Sequence, residues 1–215
     1  MIVTAASPPY SLVIFDFDGT LSDSGHWFLS IVDDLAERFR FNTVHPDEVE
    51  GLRKRSTREV IDHLGISAWK LPFIARHVRA RFGRNTNQIH LFDGIRPMMR
   101  ALHEAGLRLV ICSSNSEANV RAILGPEDCR LVERFVCGSG LFGKVRKFRR
   151  VVRTSRVPAT SILAIGDETR DIDAAREVGV AAGAVLWGYA NPDLLVAMKP
   201  DLAFTTPEEI VARLT

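Results

Sequence analysis

The residues in this chain with the clearest chemical potential are acids. Four hydrophobic residues, Leu12-Val13-Ile14-Phe15, run directly into Asp16-Phe17-Asp18-Gly19-Thr20. In extended chain, positions i and i+2 share a face, so the carboxylates of Asp16 and Asp18 can converge on one point. Two unpaired carboxylates repel each other, and a bound divalent cation relieves the repulsion. A plainer role is also open: a strand-end Asp capping the next turn, with Gly19 supplying a positive φ. A second acidic group follows another apolar run, in Ile162-Leu163-Ala164-Ile165-Gly166-Asp167-Glu168-Thr169-Arg170-Asp171. Here the alternatives are a helix cap for Asp171 and an Arg-paired surface charge for Glu168. Acids arriving from two strand ends are nonetheless how an oxygen-ligand site for a hard cation is assembled. Magnesium, which needs few protein ligands and keeps several waters, suits it.

Positioning such acids requires a scaffold, and the pattern of apolar runs predicts one. Residues 12–15, 109–112, 135–137, 162–165 and 184–186 are short hydrophobic runs bounded by Gly, Ser, Asn or Asp, the pattern of strands buried on both faces of a parallel sheet. Helical segments with recognisable ends lie between the later runs. Pro97 stands in a first turn closed by Gly106, residues 171–178 are closed by Gly179, and Thr206-Pro207-Glu208-Glu209 reads as a capping box. Alternating strand and helix means an α/β fold with a parallel sheet. In such sheets ligands bind at the carboxyl ends of the strands, which is where both acidic groups fall.

The alternation breaks once. About 90 residues separate the first run from the second, far more than a crossover helix needs. Phe28, Ile31, Val32, Leu35 and Phe39, and again Val60, Ile61 and Leu64, recur at helical spacing, so residues 23–92 are predicted to be an inserted helical cap. Residues 1–22 and 93–215 then form the catalytic core. The insertion carries 11 Lys or Arg against 9 Asp or Glu, so the net charge of +2 resides in it.

Composition excludes several classes. In 215 residues, 46% hydrophobic and 25% charged content argues against disorder, collagen-like repeats and coiled coil, and a net charge of +2 gives no general attraction for polyanions. Cys112, Cys129 and Cys137 match neither a disulfide framework nor a zinc motif, and reduced thiols in a cytoplasmic protein are expected. No run approaches about 18 consecutive apolar residues, and residues 1–11 lack the basic and apolar regions of a leader, so neither membrane insertion nor export is expected.

The segments DFDGTLSDS and GDETRDIDAA resemble the haloacid dehalogenase superfamily, chiefly its phosphoglycolate-phosphatase-like branch with a helical cap after the first motif. The likeness spans nearly the whole chain. It implies a three-layer, Rossmann-like parallel-sheet core with an inserted helical cap, and a magnesium-dependent phosphatase. By resemblance, Asp16 attacks phosphorus and Asp18 serves as general acid and base. The ion is held by the Asp16 carboxylate, the Asp18 backbone carbonyl and Asp167, with Asp171 in the outer shell. Gly19 and Thr20 fall beside the substrate. Related dehalogenases lack the second Asp, having no alkoxide to protonate, so Asp18 argues for phosphate over halide.

The resemblance also calls for a Ser or Thr directly after the second apolar run. Cys112-Ser113-Ser114-Asn115-Ser116 offers Ser113, with Ser114 and Asn115 as neighbouring phosphoryl contacts, though the serines could equally be turn residues. A cation must neutralise the transferring group. Lys144 stands where the family places it, while the commoner Lys-Pro-x-Pro continuation is absent and Lys147 remains a rival. Arg146, Arg149, Arg150, Arg153 and Arg156 read as a solvated face, with Val145, Phe148 and Val152 packing inward.

Two other motifs overlap this stretch. Residues 138–143 match GxGxxG after a strand, and with Lys144 they match a phosphate loop, but Val145 stands where that loop needs Ser or Thr for its magnesium. Neither motif accounts for Asp16 and Asp18. In the cap, Arg55 lies in a cationic stretch, residues 51–58, that could meet an anionic substrate arm, against the simpler role of surface charge. Trp69, Trp187 and Tyr189 read as packing residues. The cap is expected to hinge at residues 22–24 and 91–94.

A small phosphorylated metabolite is thus the expected partner, without nucleic acid or membrane, and oligomeric state is not readable. A phosphosugar mutase of the same fold is the enzymatic alternative. A nucleotide- or nucleic-acid-binding module is the non-enzymatic one.

Overall fold

Leu12, Val13, Ile14 and Phe15 are all buried, and alternate residues of a strand face opposite ways, so this segment demands cover from both sides. The computed structural model describes residues 10–138, 140 and 143–215. Residues 1–9, within the stretch expected to lack a leader, lie outside the described residues, as do Ser139, Leu141 and Phe142 of the glycine-rich motif. The described strands are β1 (Leu12–Phe15), β2 (Ser22–Asp23), β3 (His90–Leu91), β4 (Arg108–Ile111), β5 (Val132–Phe135), β6 (Ile162–Gly166), β7 (Ala181–Val185) and β8 (Leu202–Phe204). The helices are α1 (Gly25–Phe39), α2 (Val49–Arg53), α3 (Thr57–His63), α4 (Leu71–Gly83), α5 (Ile95–Glu104), α6 (Glu117–Cys129), α7 (Lys144–Ser155), α8 (Thr169–Val178), α9 (Pro192–Ala197) and α10 (Pro207–Leu214).

Six strands form one parallel sheet in the order β5-β4-β1-β6-β7-β8. One face packs Val13, Phe15, Leu109, Ile111, Leu163 and Ile165 against apolar residues of α5, α6 and α10. The other packs Leu12, Ile14, Val110, Ile162, Ala164 and Ala182 against α7, α8 and α9. This is the expected three-layer α/β architecture.

Register decides what meets at the sheet edge. Phe15 lies level with Ile111 on one side and Ile165 on the other. One residue further along the three strands stand Asp16, Cys112 and Gly166, so Asp16, Ser113 and Asp167 leave the sheet at the same edge. Because β1 has β4 on one side and β6 on the other, this is also where the chain's winding direction reverses, the crevice in which open α/β sheets bind ligands.

The two outer strands depart from the expectation. The run predicted at 135–137 forms instead as Val132–Phe135, and Leu202–Phe204 had no predicted counterpart. An edge strand pairs on one side only and tolerates polar positions such as Glu133, so a search for continuous apolar runs misplaces or misses it. β7 begins three residues earlier than 184–186, its first half being Ala181-Ala182-Gly183. At α10, Thr206 accepts from the Glu209 amide, but the Glu209 carboxylate accepts from the amide of Thr205, not that of Thr206. On α7 the buried face is Lys144, Lys147, Phe148, Val151 and Ser155, and Val145 and Val152 are only half-buried. Two lysines turn inward because their partners lie there.

Between β2 and β3 the described chain forms no strand, only α1 to α4 and short 3₁₀ turns. Trp27 of α1 meets Phe82 of α4 edge-on, with ring centroids 4.9 Å apart, and Ile31 and Leu35 are buried in the same cluster. The two passages into and out of this helical segment pair antiparallel, Ser22 with Leu91 and Asp23 with His90. The three cysteines are free, and no described helix is long and apolar enough to cross a membrane.

Candidate active site

Asp16, Asp167 and Asp171 are brought together at the carboxyl edge, with a carboxylate oxygen from each within 4.8 Å of the others. They are 3%, 0% and 2% exposed, so water does little to separate their charges. Asp171 is not the cap of α8. It occupies the third helical position and accepts from the amide of the cap residue Glu168 at 3.1 Å. Expected behind the other acids, it stands beside them.

Lys144, the first residue of α7, places its Nζ 2.6 Å from Asp16 Oδ2 and 2.5 Å from Asp171 Oδ1. Burial works against its charge, but Asp16 and Asp171 outweigh burial and raise its pKa. Lys147, one helical turn on, reaches the carbonyl oxygen of Ser113. With no carboxylate contact, its pKa is pulled down to about 8 by burial and by the neighbouring Lys144. Of the two lysines left open by the sequence, it is Lys144 that touches the acids.

Asp167 sits in a tight cradle. Its Oδ1 accepts from Thr20 Oγ1 and its Oδ2 from the Tyr189 amide, both at 2.8 Å. Thr20, expected beside substrate, is fully buried with its hydroxyl turned to Asp167. Gly19 has φ +81°, and a Cβ there would lie 2.2 Å from Asp167 Oδ2. Gly188 closes the other side, where a Cβ would lie 2.2 Å from Asp167 Cβ. Burial, then Glu168, Asp16 and Asp171, push the Asp167 carboxyl well above the usual carboxylate range. Burial likewise raises Asp171 to about 6, opposed by Lys144.

The carboxylate of Asp18 faces a different set of partners. It accepts from Ser113 Oγ at 3.3 Å, from Asn115 Nδ2 at 3.2 and 3.3 Å, and from Ser24 Oγ at 3.1 Å. Burial first, then Asp16, raises its pKa to about 6, a value suited to a group that both gives and takes a proton near neutrality. Ser113 Oγ in turn accepts from the Asn115 amide at 2.9 Å. Ser114 points its carbonyl at Arg79 of α4, at 3.3 Å. Asn115 is chained through Asn119 to the Arg79 carbonyl, at 2.8 and 2.9 Å.

Arg55 is exposed, and none of the hydrogen bonds or ion pairs of the described site residues reaches it. Its neighbours make the contacts instead. Arg53 donates to the carbonyls of Tyr189 and Gly188 at 2.9 and 3.3 Å, and Thr57 Oγ1 donates to Glu168. Glu168 also binds Arg170 at 2.5 Å, so it is Arg-paired, but only 16% exposed and at the edge of the acidic cluster. Sequence reasoning gave Arg170 no role, placed Ser24 only at the cap hinge and Arg53 only in the cationic stretch 51–58, and read Trp187 and Tyr189 as packing residues, which Trp187 also is. Trp187 Nε1 donates to the Thr20 carbonyl at 3.0 Å, and Tyr189 touches both Asp167 and Ser24. The strand-end rule applied at β7, as at β1 and β6, was the signal that could have found them.

Asp16, Asp167, Glu168 and Asp171 face Lys144 and Arg170, four carboxylates against two cations. Oxygen donors with that residual charge fit one hard divalent ion. The residues present are therefore suited to magnesium.

Residues 13–185 match the family model described as haloacid dehalogenase-like hydrolase. A phosphoglycolate phosphatase from Synechococcus elongatus is 32% identical over 204 residues, 94% of this chain and 96% of its own length. The tyrosine-protein kinase PtkA of Mycobacterium tuberculosis is 27% identical over 89% of this chain and 68% of its own. A haloacid dehalogenase-like family hydrolase from Streptococcus pneumoniae superposes with a TM-score of 0.78 at 17% identity, covering 96% of this chain and 99% of its own. With a family model matched over residues 13–185 and a relative 32% identical over 94% of its length, the chain belongs to the haloacid dehalogenase-like hydrolase family.

Proposed function

We propose that the protein is a magnesium-dependent phosphatase of small phosphomonoesters that works through an aspartyl-phosphate at Asp16, with residues 23–92 acting as its cap. The observation that carries this is the pairing of a buried Asp16 with Lys144, next to Asp167 and Asp171, while Asp18 is held apart by Ser113 and Asn115. Two acids two positions apart thus have different partners, which suits one to be the nucleophile and the other a proton carrier.

In the first step the Asp16 carboxylate attacks phosphorus, the bond from phosphorus to the alkyl oxygen breaks, and Asp18 gives its proton to the departing alkoxide. In the second, Asp18 takes a proton from water as the water oxygen attacks phosphorus, and the bond to Asp16 breaks to release phosphate. Ser113 donates to the phosphoryl oxygens and Lys144 offsets their charge. Asp16, Asp167 and the Asp18 carbonyl, with Asp171 beside them, would hold magnesium, which when bound would supply charge neutralisation between two anions that otherwise repel. The cap contacts through Arg53, Thr57 and Arg79 support closure over the acyl phosphate, which excludes stray water.

The cyanobacterial relative is named for phosphoglycolate, which makes it the first substrate to try. The test is phosphate release from a panel of phosphomonoesters, with magnesium or with chelator, by wild type and Asp16→Asn. Release that needs magnesium and disappears in the variant is expected. Undiminished release by Asp16→Asn refutes the nucleophile, and isomerised sugar phosphate without free phosphate makes the protein a mutase.

A further inference from the structure

We infer that Tyr189 is a positioning residue for the proton transfer, acting through Ser24 on Asp18. The inference rests on the proposed role of Asp18 and goes beyond it by naming what holds that carboxylate in place. Ser24 is 1% exposed, immediately before α1, and its hydroxyl carries a single proton. That proton goes to Asp18 Oδ1 at 3.1 Å. Tyr189 Oη lies 2.6 Å from the same serine oxygen, so with the serine proton committed to Asp18, Tyr189 is the donor of that bond. The order Tyr189 to Ser24 to Asp18 locks a rotor that would otherwise be free to turn. It pins Oδ1 of Asp18 between Ser24 and Asn115, while Oδ2 faces Ser113 and shares the Asn115 amide.

Tyr189 is itself fixed at its backbone. Its amide donates to Asp167 Oδ2 at 2.8 Å, and its carbonyl accepts from Arg53 Nε at 2.9 Å. The Asn191 amide donates back to the Arg53 carbonyl at 2.8 Å, so α2 and the segment after β7 clasp each other. One residue therefore touches an acid of the cluster, the clasp to α2 and the rotor on Asp18. Loosening the Arg53 clasp would release the tyrosine that keeps Asp18 in line.

The test exploits leaving groups. Nitrophenolate departs without a proton, whereas an alkoxide needs one, and kcat/KM reports the phosphorylation step alone. Tyr189→Phe is expected to lower kcat/KM about five- to tenfold on an alkyl phosphomonoester, the size of one lost hydrogen bond, and less than about twofold on p-nitrophenyl phosphate. Ser24→Ala is expected to show the same selectivity, and the double variant no greater loss than Ser24→Ala alone. Equal losses on both esters, unchanged or faster alkyl turnover, or additive losses in the double variant overturn the role of Tyr189. If wild-type turnover of either ester is meanwhile abolished by Asp16→Asn, the phosphatase proposal stands without it. No wild-type turnover of either ester overturns both.

Discussion

Lys144 and Lys147 share the buried face of α7, and replacing each with Met separates a cation the site requires from one it merely tolerates. Lys144 Nζ sits 2.6 and 2.5 Å from two carboxylates that are almost wholly buried. Removing one member of a buried ion pair costs about 3–5 kcal/mol, because the partner charges stay buried. In a protein of this length each kcal/mol moves Tm by about 2–4 °C, so Lys144→Met is expected to melt about 6–20 °C lower in chelator. Lys147 behaves differently. Burial has lowered its pKa from 10.5 to about 8, so holding it charged at pH 7 costs about 3 kcal/mol, which its bond to the Ser113 carbonyl only partly offsets. Met removes both the cost and the bond, so Lys147→Met is expected to stay within about 2 kcal/mol of wild type. The assay is thermal denaturation at pH 7 in EDTA and in magnesium chloride. Magnesium is expected to raise the Tm of Lys144→Met more than that of wild type, since the ion takes up the charge the lysine leaves behind. The reasoning fails if Lys144→Met melts within about 2 °C of wild type in EDTA, or if Lys147→Met falls further than Lys144→Met.

Two more outcomes are expected from the cradle and from Asp18. Gly188→Ala would put a Cβ 2.2 Å from Asp167 Cβ and 2.5 Å from the Gly19 carbonyl. Overpacking of this kind costs about 1–3 kcal/mol or more, and the displaced Asp167 should shrink the magnesium-induced rise in Tm. A wild-type magnesium response in that variant counts against Asp167 as a ligand. The Asp18 carboxyl is raised from 3.8 to about 6, so the folded protein keeps this proton to higher pH than the unfolded chain. Its stabilising contribution is full below about pH 4 and is lost as pH rises through 6. In EDTA, Tm should therefore fall from this group between pH 4 and 6, and Asp18→Asn should flatten part of that slope, Asp171 supplying another part in the same direction. An unchanged slope in Asp18→Asn would show that the carboxyl is not desolvated.

Much of this site could be read from the chain because its key residues come directly after strands buried on both faces. A strand such as Leu12–Phe15 announces itself by composition, and the residue next to its last apolar position stands at the binding edge. Asp16, Asp18, Asp167 and Asp171 were picked out as acids following such strands, whereas Ser113 and the roles of all five came from the family resemblance. Edge strands carry no such signature, so β5 was displaced by three residues and β8 was missed. Residues that support the acids without reacting were also hidden. Thr20 and Tyr189 act on Asp167 from positions 147 and 22 residues away in the chain, and no periodicity encodes that distance.

What the sequence determined alone is the alternation of strands and helices, the helical insertion after the first strand, and the set of acids delivered to one edge. Local hydrophobic pattern and backbone preference suffice for these. Which lysine reaches the acids was left to tertiary structure. Lys144 and Lys147 lie on one buried helical face, and only the docking of α7 against the sheet brings the first to Asp16 and the second to a carbonyl. The same holds for Arg53 over Arg55, because the approach of α2 to the segment after β7 is a matter of packing between distant parts of the chain. Side-chain chemistry proposes the groups, and the relative placement of rigid elements selects among them.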